Sequence, residues 1–215
     1  MEVSERRCVI ISAGEIRDYE RAREFLRDDD FLVFCDGALG HAAALGVAPD
    51  LIVGDFDSCA PEDFMRYRDG AEVVRLPCEK DDSDTFAAVK IALSRGFDDF
   101  LLLGATGARF DHTFANISVL FYLDGLGKLA VIADDYSLMR VAGAKPVVIA
   151  GPCSYFSVIA AAGDVRGVRI SGAKYPLDDA CLKSDFQLGL SNEVLPGCAA
   201  QVSVGQGRVL VVEVV

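Results

Sequence analysis

Short apolar runs and longer stretches of helical periodicity alternate along the first 140 or so residues. The runs at 8–12, 31–35, 51–53, 72–76, 100–103 and 129–133 are rich in Val, Ile, Leu and Phe, the pattern of strands buried on both faces. Between them, Tyr19, Ala22, Phe25 and Leu26 share one face of a helix, and Phe86, Val89 and Leu93 share one face of another that ends at Gly96. This alternation predicts an α/β fold built on a doubly wound, mostly parallel sheet with helices on both faces. After about Val141 the helical period vanishes. The runs at 147–149, 155–159, 165–170, 200–204 and 209–215 are short and separated by Gly, Pro, Asp and Asn, which predicts an all-β sandwich or barrel. The boundary falls in the Val-Ala-Gly-Ala-Lys-Pro stretch at 141–146, giving an α/β domain over 1–141 and a β-rich domain over 142–215.

Charge narrows the ligands. Thirty-three acidic against 21 basic side chains leave a net charge of −12, and such a field repels a phosphate backbone, which excludes a general nucleic-acid binder. A small phosphate ligand fits if divalent cations screen it. The seven cysteines form no CxxC pair, and His41 and His112 offer no zinc-ligand spacing, so the cysteines read as buried small apolar residues. The first 13 residues lack the length and flanks of a signal peptide, and the apolar-rich stretch at 147–162 is broken by Gly151, Pro152 and Ser154. The expectation is a cytoplasmic protein that crosses no membrane.

The acidic residues cluster just after the predicted strands. Asp36 follows 31–35, Asp55 and Asp57 follow 51–53, Asp81, Asp82 and Asp84 follow 72–76, and Asp111 follows 100–103 and its loop. In a parallel sheet these positions gather at the carboxyl edge, where open α/β folds bind ligands. Crowded carboxylates raise one another's pKa unless a cation neutralises them, and hard oxygen ligands without histidine point to magnesium. Asp55 and Asp57, two apart in an extended segment, would leave on the same face and share one ion. Taken singly, each residue has a plainer role: Asp36-Gly37 is a common turn pair, and Ser58, Ser83 and Asp111 are good helix caps. The segment Gly104-Ala-Thr-Gly-Ala-Arg-Phe-Asp-His-Thr113 reads as a strand-to-helix loop that lets a phosphate approach the backbone while Arg109 neutralises it. There is no GxxxxGK[ST] and no GxGxxG after the first strand, so neither a P-loop nor a dinucleotide fingerprint is present.

In order and spacing, Asp36-Gly37-Ala38, Pro49-Asp-Leu-Ile-Val-Gly-Asp-Phe-Asp-Ser58, Glu79-Lys-Asp-Asp-Ser-Asp84 and Gly104-Ala-Thr-Gly-Ala-Arg-Phe-Asp-His-Thr-Phe-Ala-Asn116 resemble the thiamine pyrophosphokinase family. Gly172-Ala-Lys-Tyr-Pro-Leu177 and Leu190-Ser-Asn-Glu193 resemble the thiamine-binding β domain of its bacterial members. The resemblance implies a homodimer with active sites at the subunit interface that moves the terminal diphosphate of ATP to the hydroxyl of thiamine, releasing AMP, with Mg2+. By position it assigns Asp55, Asp57 and Asp84 to the metal, Asp36, Lys80 and Asp81 to the phosphates, and Thr106, Gly107, Arg109 and Asn116 to the nucleotide. Arg109 and Asp111 would reach the reacting groups, and Ser191 and Asn192 would hold thiamine from the partner subunit. The chain departs from the family pattern at Phe86, where many members are acidic, and at Val194 and Leu195, where many carry an aromatic.

Attack at phosphorus needs alignment and charge neutralisation more than covalent help, which agrees with an acidic edge plus Arg109 and Lys80. Two other readings use the same residues. One is a diphosphokinase acting on another small alcohol such as a pterin. The other is a non-catalytic nucleotide or thiamine sensor, against which the complete set of aspartates argues.

Overall fold

The computed structural model describes residues 6–79, 81–151, 153 and 155–215. The chain divides into two compact units, Met1–Val119 with Ile132–Asp135, and Leu120–Val131 with Tyr136–Val215.

The first unit is organised around β1 (Cys8–Ile11), whose four residues are all buried. It pairs in parallel with β2 (Phe31–Cys35) on one side and β5 (Asp99–Leu103) on the other. Outward from β2 lie β3 (Leu51–Gly54) and β4 (Glu72–Arg75), also parallel. With β6 (Leu129–Ala133), of which Ile132 and Ala133 belong to this unit, the order is β4-β3-β2-β1-β5-β6. The helices are α1 (Tyr19–Glu24), α2 (Ala42–Leu45), α3 (Pro61–Tyr67), α4 (Asp84–Ser94) and α5 (Phe110–Gly125). All six strands predicted in this half form; continuous apolar runs such as 31–35 have no polar face to turn outward, but β4, Glu-Val-Val-Arg, is largely exposed at the sheet edge rather than buried on both faces as expected.

Helix α4 forms where expected but shows the sheet a different face. Its buried positions are Thr85, Ala87, Ala88, Val89 and Ala92, while Phe86 and Leu93 are only half-buried. Alanines let the helix lie close across β1, β2 and β3, and large side chains there would hold it off. Ser83 caps this helix, accepting a hydrogen bond from the Phe86 N–H at 3.2 Å. Ser58 and Asp111 do not cap: α3 starts from Ala60, and Asp111 lies inside the first turn of α5.

The second unit is antiparallel. β13 (Val209–Val214) lies between β7 (Ser137–Ala142) and β9 (Tyr155–Ile159). A separate four-stranded sheet runs β11 (Leu177–Leu182), β10 (Val165–Ser171), β12 (Ala200–Ser203), β8 (Val147–Ile149). Inward residues including Ile149, Phe156, Val168, Val202 and Val211 form its core, each contributing about 1.5–3 kcal/mol of burial. Strands β7 and β11 lie outside the predicted set. Five of the six β7 residues are only half-buried, and β11 carries two aspartates. Their extended form comes from pairing to β13 and β10, which no local pattern announces.

The cysteines correct the sequence reading. All seven are free, yet only Cys8 and Cys35 are buried, while Cys78, Cys181 and Cys198 are exposed. Burial pushes the Cys8 thiol up to about 12. Among the described residues no helix is long and apolar enough to cross a membrane.

Candidate active site

Chain direction across the first sheet reverses at β1 and β5: the strands run outward to β4, then return to the other side of β1. Ligands of open α/β sheets bind in the crevice at such a reversal. A cleft of about 540 Å³ lies there, lined by Ser12 and Gly14 after β1, Asp36 after β2, Asp84 at the start of α4, and Thr106 and Arg109 after β5.

One end of the site is acidic. Carboxylate oxygens of Asp36, Asp55 and Asp57 lie within 4.8 Å of one another. Asp36 is 4% exposed, its Oδ2 accepts the Ser58 N–H at 3.1 Å, and its Oδ1 is buried with no hydrogen-bond partner. Burial holds the Asp36 carboxyl above the usual carboxylate range. The Ser58 N–H pulls it back, and the charges of Asp84, Asp55 and Asp57 push it further up. A buried, crowded acid with an idle oxygen is what a hard divalent cation relieves, so these residues fit such an ion.

Asp55 and Asp57 converge for a reason other than the extended alternation expected of them. Phe56 between them is left-handed, with φ +67°, so the two carboxylates meet through a turn. Asp84 lines the cleft as the first residue of α4, but the converging group contains Asp36 in its place. Asp81 is exposed and does not line the cleft. Lys80 lies outside the described residues.

The loop after β5 is pressed against the loop after β1. Gly104 has φ +58°, and a Cβ on it would meet the Ser12 carbonyl oxygen at 2.3 Å; one on Gly14 would meet the Thr106 carbonyl oxygen at 2.2 Å. The Gly14 N–H donates to the Gly104 carbonyl at 2.8 Å. These glycines therefore serve the approach of two backbones. Asn116 is buried and donates from Nδ2 to the Ala105 carbonyl at 2.7 Å, Thr106 donates to Asp134 at 3.1 Å, and the Gly107 N–H donates to Thr113 Oγ1 at 3.2 Å. Three of the residues expected at the nucleotide thus brace the loop internally. Arg109 grips Asp111 with two hydrogen bonds, of 3.0 and 2.6 Å. Both side chains are exposed, and the guanidinium holds the Asp111 carboxyl well below the usual range.

His41 ties two walls of the cleft together. Its Nε2 donates to the Gly14 carbonyl at 3.0 Å, which leaves Nδ1 as the acceptor for the Tyr19 hydroxyl at 2.7 Å. Burial holds its pKa below the ordinary histidine value, opposed by the Gly14 bond.

In the second unit, Asn192 is 4% exposed and its amide makes three hydrogen bonds. Nδ2 donates to the Tyr175 carbonyl at 2.8 Å, while Oδ1 accepts the Tyr175 N–H at 3.0 Å and the Glu193 N–H at 2.9 Å. The exposed Ser191 has φ +55°, and its N–H donates to Ser157 Oγ at 3.1 Å.

Both units match models of one family: residues 22–130 match the thiamin pyrophosphokinase catalytic domain, and residues 148–209 its vitamin B1 binding domain. The chain belongs to the thiamin pyrophosphokinase family. A curated thiamine pyrophosphokinase of Bacillus subtilis is 27% identical over 153 residues, covering 70% of this chain and 72% of that protein. The crystal structure of a Bacillus subtilis thiamine pyrophosphokinase superposes with a TM-score of 0.85 at 20% identity, over 97% of this chain and 99% of that one. That of Geobacillus thermodenitrificans gives 0.82 at 25% identity, over 97% of both chains. The mixed α/β and antiparallel architecture is therefore that of thiamin pyrophosphokinases.

The wall after β1, Ser12 to Glu15, escapes the sequence argument, which sought glycine fingerprints there. The available signal is the small-residue string Ser-Ala-Gly directly after a buried strand. Buried Thr85, whose hydroxyl lies 2.7 Å from that of Ser12, gives no signal at all.

Proposed function

We propose that this chain transfers the terminal diphosphate of ATP to the hydroxyl of thiamine. The thiamine oxygen bonds to the β-phosphorus, the bond from that phosphorus to the α–β bridging oxygen breaks, AMP leaves, and the alcohol proton passes to solvent. The observation that carries this reading is the placement of three converging carboxylates, one with a buried idle oxygen, beside a cleft at the sheet's reversal in a chain of this family.

Asp36, Asp55 and Asp57 would hold Mg2+, with Asp84 facing it from α4; a bound divalent cation neutralises phosphate charge and aligns the oxygens. The start of α5 turns its backbone N–H end toward phosphate, and Arg109 is placed to exchange Asp111 for a phosphate oxygen. Asp81 and Lys80 belong to the segment leading into α4, and we assign them to the outer phosphates. Thr106, Gly107 and Asn116 hold the nucleotide wall in shape. Residues 1–141 then carry nucleotide and metal, and 142–215 carry thiamine and dimer contacts. Ser191 and the segment braced by Asn192 meet thiamine from the partner subunit in a homodimer, and we take the cytoplasm as the compartment.

The test is direct. Mixing the protein with ATP, thiamine and MgCl2 should yield AMP and thiamine diphosphate in equal amounts, with chelation stopping both. AMP formed only with a pterin alcohol would redirect the substrate, and no AMP with either alcohol would overturn the reading. Asp57→Asn and Asn192→Ala chains, each impaired alone, should regain part of the activity on mixing if the site is shared between subunits.

A further inference from the structure

The acidic triad stands on a strained turn, across which the Asp57 N–H donates to Asp55 Oδ1 at a long 3.4 Å. Left-handed φ is uncommon for a bulky L-residue, yet Phe56 adopts it between two metal-competent aspartates, with φ +67°. A glycine there would relieve the backbone. The side chain explains why Phe is suited to the place. Its ring meets that of Phe64 from α3, centroids 4.7 Å apart and planes tilted by 46°. The Arg75 guanidinium at the end of β4 stands 4.9 Å from the Phe56 ring centroid, and Arg75 also donates to the Asp55 carbonyl at 3.4 Å. The turn is thus gripped through its central ring and through the carbonyl of its first aspartate.

We propose that Phe56, held by Phe64 and Arg75, is the positioning residue that keeps the carboxylates of Asp55 and Asp57 converged on Asp36. If the ring lets go, the backbone at 56 relaxes toward negative φ, and the two carboxylates no longer face the idle Asp36 oxygen together. Residues that orient metal ligands from behind are worth about 10–100-fold in metal affinity. Arg75 thereby acquires a role that its exposed position, away from the described cleft, does not suggest. The proposal rests on the reading of Asp36, Asp55 and Asp57 as the ion site, and it extends that reading to residues that touch neither ion nor substrate.

The experiment is a Mn2+ titration of the full chain without nucleotide, followed by electron paramagnetic resonance, with melting curves in parallel. Phe56→Leu should weaken Mn2+ binding about tenfold. Arg75→Met should weaken it in the same direction by less, and Phe56→Tyr and Arg75→Lys should bind close to wild type, because a phenol ring and an ammonium keep the stacking and the cation. A purely structural role predicts lower melting temperatures with an unchanged Kd. Wild-type binding with unaltered Kd in both Phe56→Leu and Arg75→Met would overturn the clamp and leave the ion site standing. Absence of Mn2+ binding by the wild type would overturn the ion site, and the clamp with it. If Phe56→Leu fails to fold, Arg75→Met, a change at an exposed side chain, decides alone.

Discussion

A Cβ placed on Gly54 would lie 2.8 Å from the Cβ of Asp36. The last residue of β3 is therefore small because Asp36, directly after the neighbouring strand β2, must stand against it. Gly54→Ala is expected to push Asp36 out of line with Asp55 and Asp57, costing about 1–3 kcal/mol from overpacking and most of the turnover. Melting curves and AMP release check this. A variant equal to wild type in both would mean that the close approach is dispensable.

Asp36 is a stability cost kept for function. Its folded pKa is raised, so it favours the fold while protonated, and that contribution is lost as pH rises through the folded value. Once ionised, it opposes folding unless a cation is bound. Asp36→Asn keeps an acceptor for the Ser58 N–H and should stabilise the metal-free chain by about 1 kcal/mol, roughly 2–4 °C in melting temperature, while abolishing AMP release. Mg2+ should raise the melting temperature of the wild type and leave that of the variant alone.

His41 predicts the opposite pH response. Its folded pKa lies below the ordinary value of 6.5, so its contribution is present above that value and lost as pH falls through the folded one. Melting temperature should drop between about pH 7 and pH 5, and the drop should be shallower in His41→Gln. Because Gln retains an N–H donor for the Gly14 carbonyl, ATP KM should shift less in this variant than in His41→Ala. Equal slopes for wild type and His41→Gln would remove His41 from the acid response.

Ser191 and Asn192, adjacent in sequence, should separate experimentally. Asn192→Ala strands the part-buried Tyr175 N–H and carbonyl and the Glu193 N–H, a loss of about 1 kcal/mol or more. Ser191→Ala leaves those bonds intact and should change thiamine KM with little change in melting temperature. Equal destabilisation by the two would contradict the division of labour.

The sequence alone was enough for the six strands of the first unit and for the gathering of aspartates at one edge. Apolar runs such as 8–11 and 51–53 form buried strands, β4 is extended by pairing to β3 at the sheet edge, and parallel strands send their carboxyl ends the same way. It also sufficed for the family, since four motifs in fixed order leave few alternatives. Which carboxylates meet was decided in three dimensions. Asp36 joins Asp55 and Asp57 because β2 and β3 are neighbours and Gly54 leaves room, a contact that no spacing within 36–57 encodes. The same holds for β7 and β11, extended by their partners rather than by their composition, and for Asn192, whose amide turns inward to Tyr175. Local pattern reports what a segment prefers. Pairing across the chain determines which preferences are realised, because the hydrogen bonds and close approaches that settle them join residues far apart in sequence.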